Sequence, residues 1–427
     1  KHAFYFKMRA GMGDIVAAPL FEVLRNRGVV FKFFHRLTGM KVGTDARGRP
    51  RIDEVVIEEL ARVRAQKKYE PLKVVGSLMT WASKPDPESI EPTDYEDACN
   101  ADRYLYTPRN KPTRHTLNSR DNFDVVILGV PPACLPFTCA DLIREGEKIA
   151  SEEPESTDPR ARWASVKNLG TVQTIALQLW FKLSLLDLGW RDSPPLLSLF
   201  YDPLNTWCDM SQTLPQEPWP NGVRPGSVAY FCGPLPDVVA LPSPAAVRDA
   251  PPGDLERLRA RFEGQRDGAI QRLLDLLDQL LPNVAGVPGQ APPFFNWSLL
   301  MDPEHRKGPD RLESQYRRVN YEPSERCTLA LPGQTVTRIP ADDTGYENLV
   351  VTGDWTRNGI HAACLEGAVQ SGIRAARAVS DRPGLYVIKA EQLLNTDVAW
   401  AHPNRPTDAS RRDGSRAPTA AEKRAEP

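Results

Sequence analysis

Apolar and polar residues alternate in several different registers along this 427-residue chain, and the changes of register mark its elements. Gly11-Met12-Gly13-Asp14 opens a helix, with Asp14 at its start, Ile15, Leu20, Val23 and Leu24 as an apolar face, and Gly28 at its end. Val29 to Phe34 reads as a strand, Leu37 to Val42 continues it or pairs with it, Gly48 sits in a turn, and Ile52 to Ile57 is another strand. Ile57 to Arg64 can begin a helix. From Lys67 to Arg120 the chain is polar and proline-rich, with few clear elements. Val125 to Val130 is then a continuous apolar run stopped by Pro131-Pro132, which is how a parallel-sheet strand buried on both faces reads.

The second half changes character. A helix is expected from Ala140 to Ala150, followed by a charged linker, Ser151 to Arg160, that marks a domain boundary. Thr171 to Lys182, Leu196 to Tyr201 and Val228 to Cys232 read as strands of an antiparallel sheet. Asp254 to Leu281 is a strong helix with Leu255, Leu258, Phe262, Ile270, Leu273, Leu277 and Leu281 on its apolar positions. Phe294 to Leu300 is aromatic-rich. A polar stretch from Pro332 and Gly333 to Gly345 leads into a last strand and helix. Composition shifts after Arg382, and Thr407 to Pro427 reads as a disordered tail. The sum is α/β, then a mixed α+β insertion with an antiparallel sheet, then a return to α/β, divided at 1–150, 151–330, 331–385 and 386–427.

Composition narrows the function classes. Lys+Arg 54 against Asp+Glu 55 leaves a net charge of -1, so neither a nucleic-acid binder nor an acidic solvating protein is indicated. The seven cysteines are odd in number and match no zinc spacing, and Asp302-Pro303-Glu304-His305 lacks the remaining ligands of a metal pattern, so no metal site is expected. The cysteine usage points to a reducing, cytoplasmic compartment. No apolar run approaches the roughly 20 residues of a membrane span, and no signal peptide is visible. His2 to Phe6 already read like the middle of a folded unit, which fits either a trimmed chain or the C-terminal part of a longer or split protein.

The chemistry concentrates near the C-terminus. Asn348-Leu349-Val350-Val351-Thr352-Gly353-Asp354-Trp355-Thr356, a loop from Arg357 to Ala363, and Cys364-Leu365-Glu366-Gly367-Ala368-Val369-Gln370-Ser371-Gly372 read as strand, Gly-Asp turn, loop and helix. A carboxylate just after a buried strand can accept hydrogen bonds from cofactor hydroxyls. A helix beginning near Ala362 offers N–H groups and a positive dipole end to a ring that gains negative charge on reduction. Ala368, Gly372 and Ala376, and likewise Gly367, Ser371 and Ala375, recur every four residues and allow close packing. On spacing alone, an ordinary strand–loop–helix with a tight interface fits equally well.

Taken together, these residues closely resemble the C-terminal FAD motif of the flavin amine oxidase and carotenoid desaturase superfamily. Gly11-Met12-Gly13 with its helix and Gly28-Val29 resembles the second FAD-domain segment. Val125 to Pro132 resembles the strand returning to that domain. Ser314-Gln315-Tyr316 through Pro323-Ser324-Glu325-Arg326 to Leu331-Pro332-Gly333 resembles the approach to the last motif. The resemblance implies a glutathione-reductase-like, Rossmann-type FAD domain interrupted by an α+β substrate domain. It places Asp354 on the ribityl and pyrophosphate side of FAD, with Gly353 and Thr356 also among the cofactor-binding residues, Ala363 and Cys364 where helix-start N–H groups face the ring, and Leu37 and Val130 at the adenine end. His361 becomes the candidate general base or substrate-orienting residue.

The departures carry equal weight. Such enzymes begin with a strand, G-x-G-x-x-G and a helix, and nothing of that kind precedes Gly11. The expectation is therefore a second polypeptide supplying the GxGxxG segment, in a hetero-oligomer arising by gene splitting or processing. Amine oxidases place an aromatic residue where Cys364 stands, and Lys307 is a poor stand-in for their water-holding lysine. Both departures favour dehydrogenation or desaturation of a small or lipophilic substrate over amine or amino-acid oxidation by oxygen. Phe294, Phe295 and Trp297 offer a replacement aromatic wall, although aromatic clusters are more often core. Arg306, Arg317 and Arg318 read better as a solvated charged face than as an anchor for an acidic substrate. A non-catalytic, degenerate subunit is the remaining alternative.

Overall fold

The computed structural model describes residues 6–198, 200–219, 223–237, 241–251, 253–286 and 295–380. Phe294 and the tail from Thr407 lie outside the described residues. The strands in order are β1 (His35–Thr44), β2 (Pro50–Glu59), β3 (Leu72–Val75), β4 (Leu78–Trp81), β5 (Thr113–Asn118), β6 (Val126–Leu128), β7 (Thr171–Phe181), β8 (Leu196–Leu197), β9 (Thr206–Asp209), β10 (Ser227–Leu235), β11 (Tyr316–Asn320), β12 (Cys327–Thr328) and β13 (Leu349–Val351). The helices are α1 (Ala18–Asn26), α2 (Tyr95–Cys99), α3 (Leu135–Thr138), α4 (Ala140–Glu152), α5 (Pro244–Arg248), α6 (Asp254–Leu274) and α7 (Leu365–Ser380). No helix among the described residues is long and apolar enough to cross a membrane. The chain forms two compact units that alternate along the sequence.

The first unit comprises Lys1–Asp124, Val130–Ile143 and Thr171–Cys327. At its start a π-helical turn, Gly13–Ala17, runs into α1, which Pro19 helps to begin. Asp14 accepts the Trp81 backbone N–H at 3.0 Å, and the Trp81 indole donates to the Gly13 carbonyl at 2.8 Å. The helix buries Ala18 and Phe21, whereas Leu20, Val23 and Leu24, the expected buried face, are exposed. The strand expected at Val29–Phe34 does not form. Phe31, Phe33 and Trp81 instead gather on the Phe21 ring, with centroids 4.6, 5.9 and 5.4 Å away, and Phe34 turns the chain at φ +60°.

Nor does a helix begin at Ile57. β2 continues through Glu59 in antiparallel register with β1, and Leu60 donates its N–H to the Phe34 carbonyl at 2.8 Å. The segment read as featureless, Lys67–Arg120, holds the β3–β4 hairpin, α2 and β5. Its elements are too short for a periodic signal. The β5 strand completes a three-stranded antiparallel sheet in the order β1-β2-β5.

A larger antiparallel sheet, β11-β7-β10-β9-β8, carries the main core. The inner residues Ile175, Leu177, Leu179 and Phe181 of β7 pack with Trp207, Phe231, Phe262 and Leu273. The α6 helix ends at Leu274, seven residues short of the expected end, yet Leu277 and Leu281 remain buried in the short turns that follow. The Phe262 and Tyr321 rings stack at 4.3 Å. Phe295 lies 6.4 Å from Phe181 and 5.0 Å from Trp297, so these two aromatic residues belong to this core.

The second unit comprises Val125–Gly129, Arg144–Gly170 and Thr328–Pro427. Its sheet is a parallel pair, β6 beside β13, with Val126, Ile127 and Leu128 opposite Leu349, Val350 and Val351. All three β13 residues are buried, and α7 packs on β13. β6 departs from the two-sided burial expected of it: Leu128 is buried but Ile127 is 58% exposed. Around the pair, the Trp163 indole donates to the Thr344 carbonyl at 2.9 Å, and the Thr344 hydroxyl donates to the Leu349 carbonyl at 2.8 Å. The Tyr346 hydroxyl donates to Glu145 at 2.9 Å, and that carboxylate also receives Arg160 at 2.5 Å. Glycine is required at 146, because a Cβ there would come within 2.7 Å of the Arg160 carbonyl and 2.8 Å of the Ala164 nitrogen.

Candidate functional site

The run from β13 to α7 builds the site from the backbone outward. Gly353, directly after β13 and Thr352, has φ +126°, outside what a side chain tolerates, and a Cβ there would lie 2.9 Å from the Trp355 ring. Its N–H is held by the Ser371 hydroxyl of α7 at 2.8 Å, and Ser371 in turn donates to the Ala368 carbonyl. The Thr356 hydroxyl donates to the Gly353 carbonyl at 2.9 Å, closing the turn. Asp354 at the turn's tip is half-buried, and its Oδ1 accepts the Thr328 hydroxyl at 3.0 Å. That bond orients the carboxylate while leaving it acceptor capacity for a ligand hydroxyl.

Three supporting residues carried no sequence signal. Arg338 is 1% exposed and donates to the Asp354 carbonyl at 2.8 Å and the Leu329 carbonyl at 3.2 Å. Burial pushes its guanidinium pKa down, and the neighbouring Asp354 charge opposes that shift. Asn358 is fully buried. Its amide donates to the carbonyls of Asp354 and Thr356, and its oxygen accepts the N–H groups of Ile360 and His361 at 2.9 and 2.8 Å. Thr328 is the third. Arg338 and Thr328 act through contacts between segments distant in sequence, whereas Asn358 bonds backbone groups two to four residues away.

Asn358 also explains where α7 begins. Holding two consecutive N–H groups forces a tight turn, with His361 at φ +55°. Helical geometry therefore starts at Leu365, three residues later than expected, and Ala363 and Cys364 precede the helix. The Cys364 sulfur receives the Gly367 N–H at 3.4 Å, so Cys364 caps the first turn of α7. Of the two small-residue stripes on α7, only Gly367, Ser371 and Ala375 are buried. A Cβ on Gly372 would meet nothing within 4 Å.

Gly353, Asp354, Thr356, His361, Ala363 and Cys364 are thus brought together in one turn, loop and helix start of the second unit. Leu37, on β1, and Val130 belong to the first unit. The donor set suits the ribityl and pyrimidine parts of a flavin: an oriented carboxylate, a helix start with first-turn N–H groups, and the exposed apolar side chains of Ile360, Leu365 and Val369 beside them.

A separate cavity of about 500 Å³ lies in the first unit, lined by Arg103, Leu105, Leu255, Arg259, Tyr321 and Glu322 among others. Burial raises the Glu322 carboxyl above its usual range, opposed by the Leu105 N–H it accepts at 2.7 Å and by the Arg103 charge. None of the flavin-motif residues lines it.

A solved oxidoreductase from Methanosarcina mazei is similar at 13% identity and a TM-score of 0.37, over 84% of this chain and 52% of that one. The chain therefore spans about half the length of that neighbour. No curated protein matches. The family model for flavin containing amine oxidoreductase matches residues 103–380, most of the chain and the whole Gly353-to-Ser371 motif, and the chain belongs to that family.

Proposed function

We propose that this chain is the substrate-domain-bearing, C-terminal part of an FAD-dependent oxidoreductase. In this reading the Rossmann-type FAD domain is interrupted by the substrate domain and is completed by a GxGxxG segment on another stretch of polypeptide, cleaved or separately encoded. The observation that carries it is the open outer edge of β6. Among the described residues β6 pairs only with β13, and Ile127 on it is 58% exposed. Two-stranded parallel sheets are unusual, because parallel strands are normally flanked on both sides and covered on both faces. A further parallel strand beside β6 would flank its open edge, and the crossover helix that accompanies such a strand would cover the face that exposes Ile127. The first unit independently exposes Met12, Leu20, Val23 and Val30, the kind of apolar patch that a partner surface covers.

When bound, FAD supplies the two-electron acceptor for a hydride leaving a substrate C–H bond, and the product is a C=C or C=N. The chain's own residues hold and tune. Asp354 accepts from the ribityl side, and Gly353 and Thr356 keep that turn in place. The start of α7 beyond Ala363 and Cys364 stabilises negative charge on the reduced ring. His361 is the candidate proton acceptor. With Cys364 spent on capping, no aromatic wall stands at that position, which favours a dehydrogenase or desaturase acting on a small or lipophilic substrate. The seven cysteines, all among the described residues and none in a disulfide, accord with a reducing, cytoplasmic setting.

The test is anaerobic mixing of the natively purified, flavin-bearing assembly with candidate substrates while flavin absorbance is followed. Bleaching by polyenes or other C–H donors, with amines inert, supports this reading. Bleaching by amines or amino acids alone supports the amine-oxidase version. An assembly that holds no flavin leaves a non-catalytic subunit.

A further inference from the structure

A second cluster of chemistry-bearing side chains lies on the three-stranded sheet of the first unit, apart from the flavin motif. His35 on β1 is register-paired with Glu59 on β2, and Ile57, two residues before Glu59, is paired with His115 on β5. Cross-strand partners share a face, and so do residues two apart on one strand. His35, Glu59 and His115 therefore project from the same face. One ligand atom from each lies within 4.8 Å of the other two. The His115 Nε2 is 3.2 Å from Glu59 Oε2, and the two imidazole rings stack at 6.0 Å with 25° between their planes.

The tautomer of a neutral His35 is set by its backbone. Its Nδ1 lies 2.5 Å from the Phe33 carbonyl, which can only accept, so Nδ1 carries a hydrogen, and in the neutral ring Nε2 is left as the nitrogen that can ligate. A carbonyl that fixes the tautomer and aim of an imidazole is the usual support behind a metal-ligating histidine. The local backbone is built for it. Phe34, between the two partners, adopts φ +60°, rare for a bulky residue, and its own carbonyl is held by the Leu60 N–H at 2.8 Å. His35 and Glu59 are half-buried and His115 is exposed, so a cation can enter.

We propose that His35, Glu59 and His115 form a binding site for a divalent transition metal of the zinc class, clasping β1, β2 and β5. Two imidazoles and one carboxylate suit zinc, cobalt or nickel rather than calcium or magnesium, which take oxygen ligands. Three protein ligands leave one position for water. No sequence spacing points to the site, because its ligands sit 24 and 56 residues apart and only strand pairing gathers them.

The test uses the natively purified protein, stripped with a chelator and titrated calorimetrically with zinc chloride, with cobalt(II) absorption alongside. The expected result is one equivalent bound, a visible cobalt d–d band without thiolate charge transfer, and a thermal midpoint raised by zinc. His115→Ala and Glu59→Gln should each weaken that equivalent at least tenfold and abolish the thermal shift. His115 is exposed and Glu59→Gln preserves shape, so at least one folded variant is expected, and circular dichroism checks both. Stripped protein that binds no zinc overturns the proposal, as does binding that both variants retain unchanged or that carries thiolate bands; the pair would then be only a His115–Glu59 ion pair.

Discussion

At the residue scale, the site depends less on the motif's signature residues than on those that hold them. Asn358 satisfies four backbone groups around the Asp354 turn. Truncating it strands those groups where water cannot replace the bonds. Asn358→Ala is expected to cost about 4 kcal/mol, four unmade bonds at about 1 kcal/mol each, and to lower flavin retention; denaturant titration and absorbance check both. Glu322 makes a pH prediction. Its folded-state carboxyl lies above the usual value of 4.5 because burial disfavours the charge. The native state therefore binds the proton more tightly than the unfolded chain, and stability falls as pH rises from about 4.5 through the raised folded value. Glu322→Gln should flatten that fall while keeping the acceptor for the Leu105 N–H; urea midpoints across the range read it. The place of Gly353, Asp354 and Thr356 in a turn between a strand and a helix was legible because that run carries its own pattern. Arg338 and Asn358 were not, since an isolated arginine or asparagine in a loop has no periodicity to betray its burial.

At the element scale, long periodic segments were readable and short aromatic ones were not. β7 and α6 appeared close to where expected because they offer one continuous face to the core. Val29–Phe34 resembled a strand by composition, but its phenylalanines found a nearer partner in Phe21 than any strand could offer. The β6 strand was recognised, and its exposed edge is the informative departure. Ile127→Lys is expected to leave the chain's own stability within about 0.5 kcal/mol, as for exposed substitutions generally. It should block assembly with the segment proposed to pair there. Loss of co-elution on gel filtration together with unchanged thermal melting would bear this out. Co-elution and flavin content like those of the unaltered chain would place the missing segment elsewhere.

At the scale of the whole molecule, burial sorts the thiols as it sorts the core. Desolvation pushes both Cys134 and Cys139 up to about 12, while Cys327 is exposed. Alkylation at neutral pH should mark Cys327 first and reach Cys134 and Cys139 only on unfolding, with mass spectrometry as the readout. The mixed helix-and-strand character and the antiparallel sheet of β7, β9 and β10 could be read from the sequence because their apolar positions carry a period of their own. How the chain's pieces interleave into two units could not, since Val125–Gly129 and Thr328 onward meet only through strand pairing that no local pattern encodes.

The central claim is that this chain works with a bound flavin and a second polypeptide segment. It is tested most directly by the absorption spectrum of natively purified material beside a denaturing gel. A flavin band with two co-purifying polypeptides, or one longer chain containing the missing strand, is the expected result. A colourless, folded, single polypeptide of this sequence would contradict it.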